Sequence, residues 1–173
     1  EYLNVDFLYN GEAEVSFPDF IHSLAAGSPD YRTTLGISFG DEHTGEIVKN
    51  PPGRVDLSLN SQMPAWHHID IPYYVSAYMH PRFTNVGRTL PMLTGRGCTG
   101  GCSFCSPTVG KFMSRNLEDT LNEIRYLNAN YEFETFSFIT EIFFLTDEQV
   151  LEFCEGYKTL EERKPWFCCL HPK

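Results

Sequence analysis

No apolar run in this sequence approaches the roughly 20 residues needed to cross a bilayer, and the N-terminus has no basic segment leading into an apolar one. A membrane span and a secretory signal are therefore not expected, and a membrane is not expected as a partner. Basic charge is scarce as well. Thirteen Lys and Arg residues face 23 Asp and Glu residues, for a formal net charge of -10, and no Lys- or Arg-rich run interrupts that balance. A nucleic-acid partner needs a basic face to neutralise phosphates, so none is expected. Low-complexity stretches and internal repeats are also missing, which argues against disordered and fibrous classes. These absences together predict a soluble, cytoplasmic protein.

What is present is apolar and aromatic: 42% of the 173 residues are hydrophobic and 14% aromatic, enough for a core built on buried rings. The length suits one ordinary domain but is short for two complete α/β domains, so one domain plus a piece of another is expected. The chain starts at Glu1 and stops at Pro172-Lys173, directly after the apolar run 166–170. We read it as a fragment of a longer protein. Six cysteines raise the question of a disulfide framework. The missing signal, a chain large enough to fold without staples, and the adjacent pair Cys168 and Cys169 point instead to a reducing compartment and metal chemistry.

The local patterns predict an α/β fold. Residues 4–9 read as a short strand, Asn10-Gly11-Glu12 as a turn, and Val15, Phe20, Ile21 and Leu24 as one face of a helix that ends at Gly27-Ser28-Pro29. Two apolar runs from Leu35 to Val48 flank Asp41-Glu42-His43-Thr44-Gly45 and predict a hairpin. From Pro51 to about Pro81 the proline content predicts an extended linker that contains Met63-Pro64-Ala65-Trp66. A buried strand is expected at 89–94 and a Gly- and Cys-rich loop at 95–110. A helix capped by Asn116 follows, with Leu117, Leu121, Ile124 and Leu127 on one face. A strand at 133–140, a helix at 146–160 and a strand at 166–170 complete an alternation that implies parallel pairing, as in an α/β barrel or open sheet.

The chemistry concentrates in Cys98-Thr-Gly-Gly-Cys102-Ser-Phe104-Cys105, three thiols spaced CxxxCxxC in a loop that leaves the C-terminal end of a predicted strand. Three thiolates in one loop can hold three irons of a four-iron cluster and leave the fourth open for a ligand. Gly95, Gly97, Gly100 and Gly101 let the backbone wrap closely. A structural zinc site would want a fourth close ligand, and Cys154, Cys168, Cys169 and His171 all lie far along the chain without pair spacing.

The run Thr94-Gly-Arg-Gly-Cys98-Thr-Gly-Gly-Cys102-Ser-Phe104-Cys105 resembles the signature of the radical S-adenosylmethionine (SAM) superfamily, including the aromatic residue before the last cysteine. The resemblance implies a [4Fe-4S] cluster on Cys98, Cys102 and Cys105, with SAM chelating the fourth iron. Reductive cleavage of SAM would then give a 5'-deoxyadenosyl radical that attacks the substrate. It also implies a small-molecule substrate and an external electron donor of the flavodoxin or ferredoxin kind. Asn10-Gly-Glu-Ala-Glu14, Met63-Pro-Ala-Trp66, Arg115 and Glu123 resemble the cobalamin (B12)-binding branch of that superfamily, which makes cobalamin an expected cofactor. The DxHxxG motif of that branch, whose histidine can ligate cobalt, is absent from these 173 residues.

On that resemblance, residues 1–30 are the C-terminal end of a Rossmann-like cobalamin-binding domain and 31–85 a hairpin and Pro-rich linker. Residues 86–173 are then the first half of a partial radical SAM (β/α) barrel, a piece expected to be inactive alone. Phe104, Thr140 and Glu141 become candidate SAM contacts, the last two because barrel active sites open at the C-terminal ends of strands. Gly11 and Glu12 become candidate cobalamin contacts, although Glu12 and Glu14 also suit the start of any helix. The implied reaction is radical chemistry on an unidentified substrate, by methyl transfer, cyclisation or rearrangement. Two alternatives stay open: a radical SAM enzyme without cobalamin, of the methylthiotransferase kind, and a non-enzymatic Cys-ligated metal-binding module. His67 and His68, Cys154, and the Phe133, Phe136, Phe138, Phe143 and Phe144 cluster read as surface or packing residues.

Overall fold

The computed structural model describes residues 5–29, 31–54, 62–77, 87–105 and 112–170. The chain divides into two compact units, Glu1–Leu59 and Asn60–Lys173.

In the first unit, strand β1 (Phe7–Tyr9) leads through Gly11 to helix α1 (Ser16–Ala25), and strands β2 (Ile37–Gly40) and β3 (Ile47–Lys49) form the expected hairpin. The strands lie in the order β1-β2-β3 and both pairings are antiparallel, with Phe7 opposite Phe39 and Phe39 opposite Val48. Phe39 and Ile37 alternate inward along β2 and bury with Phe20 of α1, while Phe7, Tyr9, Tyr31 and Val48 pack around them. Asp41 shapes the hairpin loop. Its carboxylate accepts from the His43 and Thr44 amides at 2.9 and 3.2 Å and pairs with the Arg32 guanidinium at 2.9 Å; the His43 bond first, then Arg32 and Thr44, hold the Asp41 carboxyl below its ordinary range. Strand-turn-helix and hairpin, read from sequence as separate pieces on either side of residue 30, are thus one sheet. The hairpin belongs with residues 1–30 because β2 supplies the only edge against which β1 pairs among the described residues.

In the second unit, strands β4 (Thr89–Met92), β7 (Thr135–Phe138) and β8 (Trp166–Cys168) form a parallel sheet in the order β4-β7-β8. A two-residue ribbon, β5 (Gly95–Arg96) against β6 (Met113–Ser114), closes the base of the cysteine loop. Helix α3 (Leu117–Asn130) connects β6 to β7, and helix α4 (Asp147–Lys158) connects β7 to β8. Every residue of β7 is buried, as befits a central parallel strand covered on both faces. Asn116 caps α3 by accepting from the Glu118 and Asp119 amides, and Thr146 with Gln149 forms a capping box on α4. The core gathers Leu90, Met92, Leu121, Ile124 and Leu127 with the rings Phe133, Phe136, Phe138, Phe143, Phe144 and Phe153.

The Pro-rich segment departs from expectation. Part of it is helical: Trp66–His68 is a 3-10 turn, Ile71–Ala77 is helix α2, and Trp66, Ile71 and Val75 lie in the second unit's core. Pro72 sits in the first turn of α2, where its missing N–H has no intrahelical partner to lose, so proline here starts a helix rather than preventing one. The expected linker 31–85 is accordingly split between the two units.

Candidate functional site

The C-terminal ends of the parallel strands present three loops: the cysteine loop beyond β4, residues 139–146 beyond β7, and residues 169–170 beyond β8. Thr94 and Thr140 tie the first two together. The Thr94 amide donates to Thr140 Oγ1 at 3.0 Å, and Thr94 Oγ1 donates to the Phe143 carbonyl at 2.7 Å. Phe143 N donates to the Cys169 carbonyl at 3.0 Å and ties in the third loop. Between them opens a cavity of about 810 Å³, lined by Thr99, Gly100 and Gly101 of the cysteine loop, Ile142 and Phe144, the first turns of α4, and Leu170. An apolar hollow with a few polar groups at the carboxyl ends of parallel strands is the usual place for a small molecule.

Cys98 and Cys102 are half-buried and Cys105 is exposed, and none is in a disulfide. The Cys98 and Cys102 sulfurs lie 3.2 and 3.8 Å from the point where a Cβ on Gly100 would stand. A side chain at 100 would crowd the Cys98 sulfur, and glycine leaves that space open. The Gly100 amide donates to Cys98 Sγ at 3.2 Å, and the Cys105 amide donates to the Cys102 carbonyl at 3.0 Å. Among the described residues no three His, Cys, Asp or Glu side chains are gathered for one metal ion. A cluster takes its thiolates on separate irons, so the donor chemistry of three cysteines in one short loop suits such a group.

Of the other candidates, Phe104 stands in solvent at 90% exposure. Thr140 is buried and its hydroxyl is engaged by Thr94, which makes it a fastener between loops. Glu141 is exposed beside it. Gly11, at φ 99°, bridges Gly53, whose amide nitrogen lies 2.6 Å from where a Gly11 Cβ would be; this close approach accounts for the glycine without any ligand. The Glu12 carbonyl accepts from the Tyr9 hydroxyl at 2.8 Å. His67 and His68 are exposed side by side on their turn. Cys154 and Cys168 pack against the core, and burial first, then Cys169 and Cys154, pushes the Cys168 thiol up to about 11.

Three residues singled out separately in the sequence meet inside the second unit. Glu123 is fully buried on α3, pairs with the Arg115 guanidinium, and accepts from Trp66 Nε1 at 2.9 Å. Burial raises the Glu123 carboxyl, while Arg115 and Trp66 act against the rise. A Glu on the stripe of Thr120, Ile124 and Leu127 was the available signal, because a charge on an apolar face requires a partner.

No protein-family model matches the chain. It is 28% identical over 160 residues to the cytidylyl-2-hydroxyethylphosphonate methyltransferase of Streptomyces wedmorensis, covering 77% of this chain and 29% of that protein. A UPF0313 protein of Methanocella arvoryzae is 37% identical over 97 residues, covering 51% of this chain and 15% of that one. In structure, the cobalamin-dependent SAM radical enzyme OxsB, with aqua-cobalamin and SAM bound, matches at a TM-score of 0.67 and 19% identity over 92% of this chain and 22% of its own. The radical SAM methyltransferase TsrM of Kitasatospora setae, with cobalamin and a [4Fe-4S] cluster bound, matches at 0.54 and 16% over 88% and 29%. The chain spans less than a third of the length of each of these relatives. Among its described residues no helix is long and apolar enough to cross a membrane. In fold, this chain matches 22% of the cobalamin-dependent SAM radical enzyme OxsB and 29% of the radical SAM methyltransferase TsrM.

Proposed function

We propose that this chain carries the cluster- and SAM-binding part of a cobalamin-dependent radical SAM methyltransferase. The observation that carries the reading is the Gly100 cradle, with the Cys98 and Cys102 sulfurs on it, opening beside the cavity at the strand ends. Cys98, Cys102 and Cys105 would hold a [4Fe-4S] cluster, which when bound supplies the electron that cleaves SAM. The chain's own part is positional. The Gly100 amide would orient the Cys98 sulfur, Gly100 and Gly101 would leave room for the ligand's approach, and Ile142 and Phe144 would give the cavity an apolar wall. Residues 1–30 would close the cobalamin-binding part, with Gly11 and Glu12 at its edge. Glu141 would reach SAM from the exposed side of the loop beyond β7. Methyl transfer is preferred over cyclisation or rearrangement because the first of the relatives above is a methyltransferase.

Anaerobic reconstitution with iron and sulfide should give a brown chain with about four of each per molecule. Replacing Cys98, Cys102 or Cys105 by Ala should abolish iron retention, and Cys154→Ala should spare it. Uptake of one zinc and no iron under the same treatment would overturn the reading in favour of a metal-binding module.

A further inference from the structure

We infer that Trp66, Glu123 and Arg115 form a buried clamp that positions the base of the cysteine loop. The inference rests on the cluster reading for its purpose, though not for its geometry. Trp66 is 9%, Glu123 0% and Arg115 7% exposed, so the ion pair is withdrawn from water. Such a pair is a poor stabiliser, since the cost of desolvating two charges consumes most of their attraction and apolar side chains of similar volume pack as well. What the pair does supply here is direction.

Arg115 holds both legs of the loop. Its backbone amide donates to the Thr94 carbonyl at 2.9 Å, and its Nη1 donates to the Leu93 carbonyl at 3.0 Å. Those two carbonyls lie between the end of β4 and the first residue of the ribbon that opens the cysteine loop. The returning leg, Met113–Ser114, runs directly into Arg115. From behind, the contacts form a relay: Trp66 Nε1 fixes Glu123, Glu123 fixes the guanidinium, and the guanidinium fixes residue 93. Among the described residues the guanidinium is held through Nη1, and its buried Nε and Nη2 have no acceptor there. Removing Glu123 therefore leaves the head free to swing, and an ammonium on a similar stem can take over both Nη1 contacts. On the opposite side Thr94 is tied to Thr140 and Phe143, so the clamp is the rear half of a two-sided mount.

The test is hydrogen exchange of the Gly95–Gly101 amides, measured on the 173-residue chain without iron, with Ile124→Val as a control that loosens the same helix face without touching the clamp. Glu123→Gln and Arg115→Met should accelerate exchange of this segment about tenfold, Trp66→Phe less, and Arg115→Lys should return it to within about threefold of the parent. In iron-loaded chain, the same clamp variants should lose iron to a chelator about tenfold faster than Ile124→Val. If Ile124→Val speeds the segment as much as Arg115→Met does, or if Arg115→Met and Trp66→Phe leave it unchanged, the clamp is ordinary core and the inference is overturned. A chain that takes up no iron removes the cluster reading alone, because the exchange experiment contains none.

Discussion

The two compact units each contain a strand, a glycine-bearing turn or loop and then a helix, β1 to α1 and β4 to α3, yet they build different sheets. In the first, β1 pairs antiparallel with β2 over three buried hydrophobic residues, and α1 leaves Phe17, Ile21 and Leu24 substantially exposed. In the second, β4 pairs parallel with β7 over a core that includes six buried phenylalanines, and α3 buries Leu121, Ile124 and Leu127. The glycine-rich turn does not decide between them. What differs is the neighbouring strand: β2 alternates inward and outward residues, whereas β7 is buried along its whole length and needs a layer on both faces.

Both tryptophans, Trp66 and Trp166, belong to the second unit, so their emission reports that unit alone while circular dichroism reports both. The largest expected effect is Phe138→Ala. Phe138 meets Phe143, Phe153 and Trp166 at ring separations of 4.9, 5.4 and 5.6 Å, and its loss should cost about 3–5 kcal/mol, read as an early fall in tryptophan emission on urea titration. Phe20→Ala removes a ring from the smaller core and should cost about 3 kcal/mol, the low end of the same range, because a small core relaxes into the gap more readily. Its effect should show in circular dichroism and leave the tryptophan midpoint in place. A tryptophan midpoint that moves with Phe20→Ala would mean one cooperative transition, and the contrast between the units would fail.

The helix starts offer a gentler test. Thr146→Ala removes the hydroxyl that accepts from the Gln149 amide and should cost about 1 kcal/mol by urea unfolding followed at the tryptophans. Asn116→Ala should cost a similar amount through the Glu118 and Asp119 amides. α1 has no side-chain cap, so Val15→Ala should be nearly silent, and a loss there as large as at Thr146 would erase the distinction.

Much of the second unit was legible because its signals are local. Asn116 and Thr146 mark helix starts, Phe133 to Phe144 mark a buried strand and the turn after it, and the three cysteines sit in one loop. The misreadings concern what only tertiary structure decides. The proline content of 51–81 predicts an extended linker, yet Pro72 lies in the first turn of α2, where it is harmless. β1 carries no mark of its partner's direction, so its antiparallel pairing with a hairpin 30 residues away was not visible. Trp66, Arg115 and Glu123 were each noticed, but a hydrogen bond across 57 residues has no signature in spacing. For Gly11 the close approach to Gly53 supplies a plain structural reason.

The smallest expected effect separates packing cysteines from loop cysteines through pH. The Cys168 thiol, half-buried beside Cys154, is pushed up to about 11 from an ordinary value of 9.0, chiefly by burial. Below pH 9 the thiol is protonated whether the chain is folded or not, and its contribution to stability is fully present. Between 9 and 11 the unfolded chain gives up this proton more readily than the folded one, so stability falls as pH rises. Half of the group's surroundings are open to solvent, which screens the effect, and the discounted loss is on the order of 1 kcal/mol by pH 11. Lysines and tyrosines titrate in the same window, so the quantity to measure is the unfolding free energy of the parent minus that of Cys168→Ala across pH 8–11. That difference should decline with rising pH. A flat Cys168 difference would place its thiol in water and take the inward face of β8 out of the core. A difference that rises with pH would mean the folded state favours the thiolate, a property expected of a ligand and not of a packing residue.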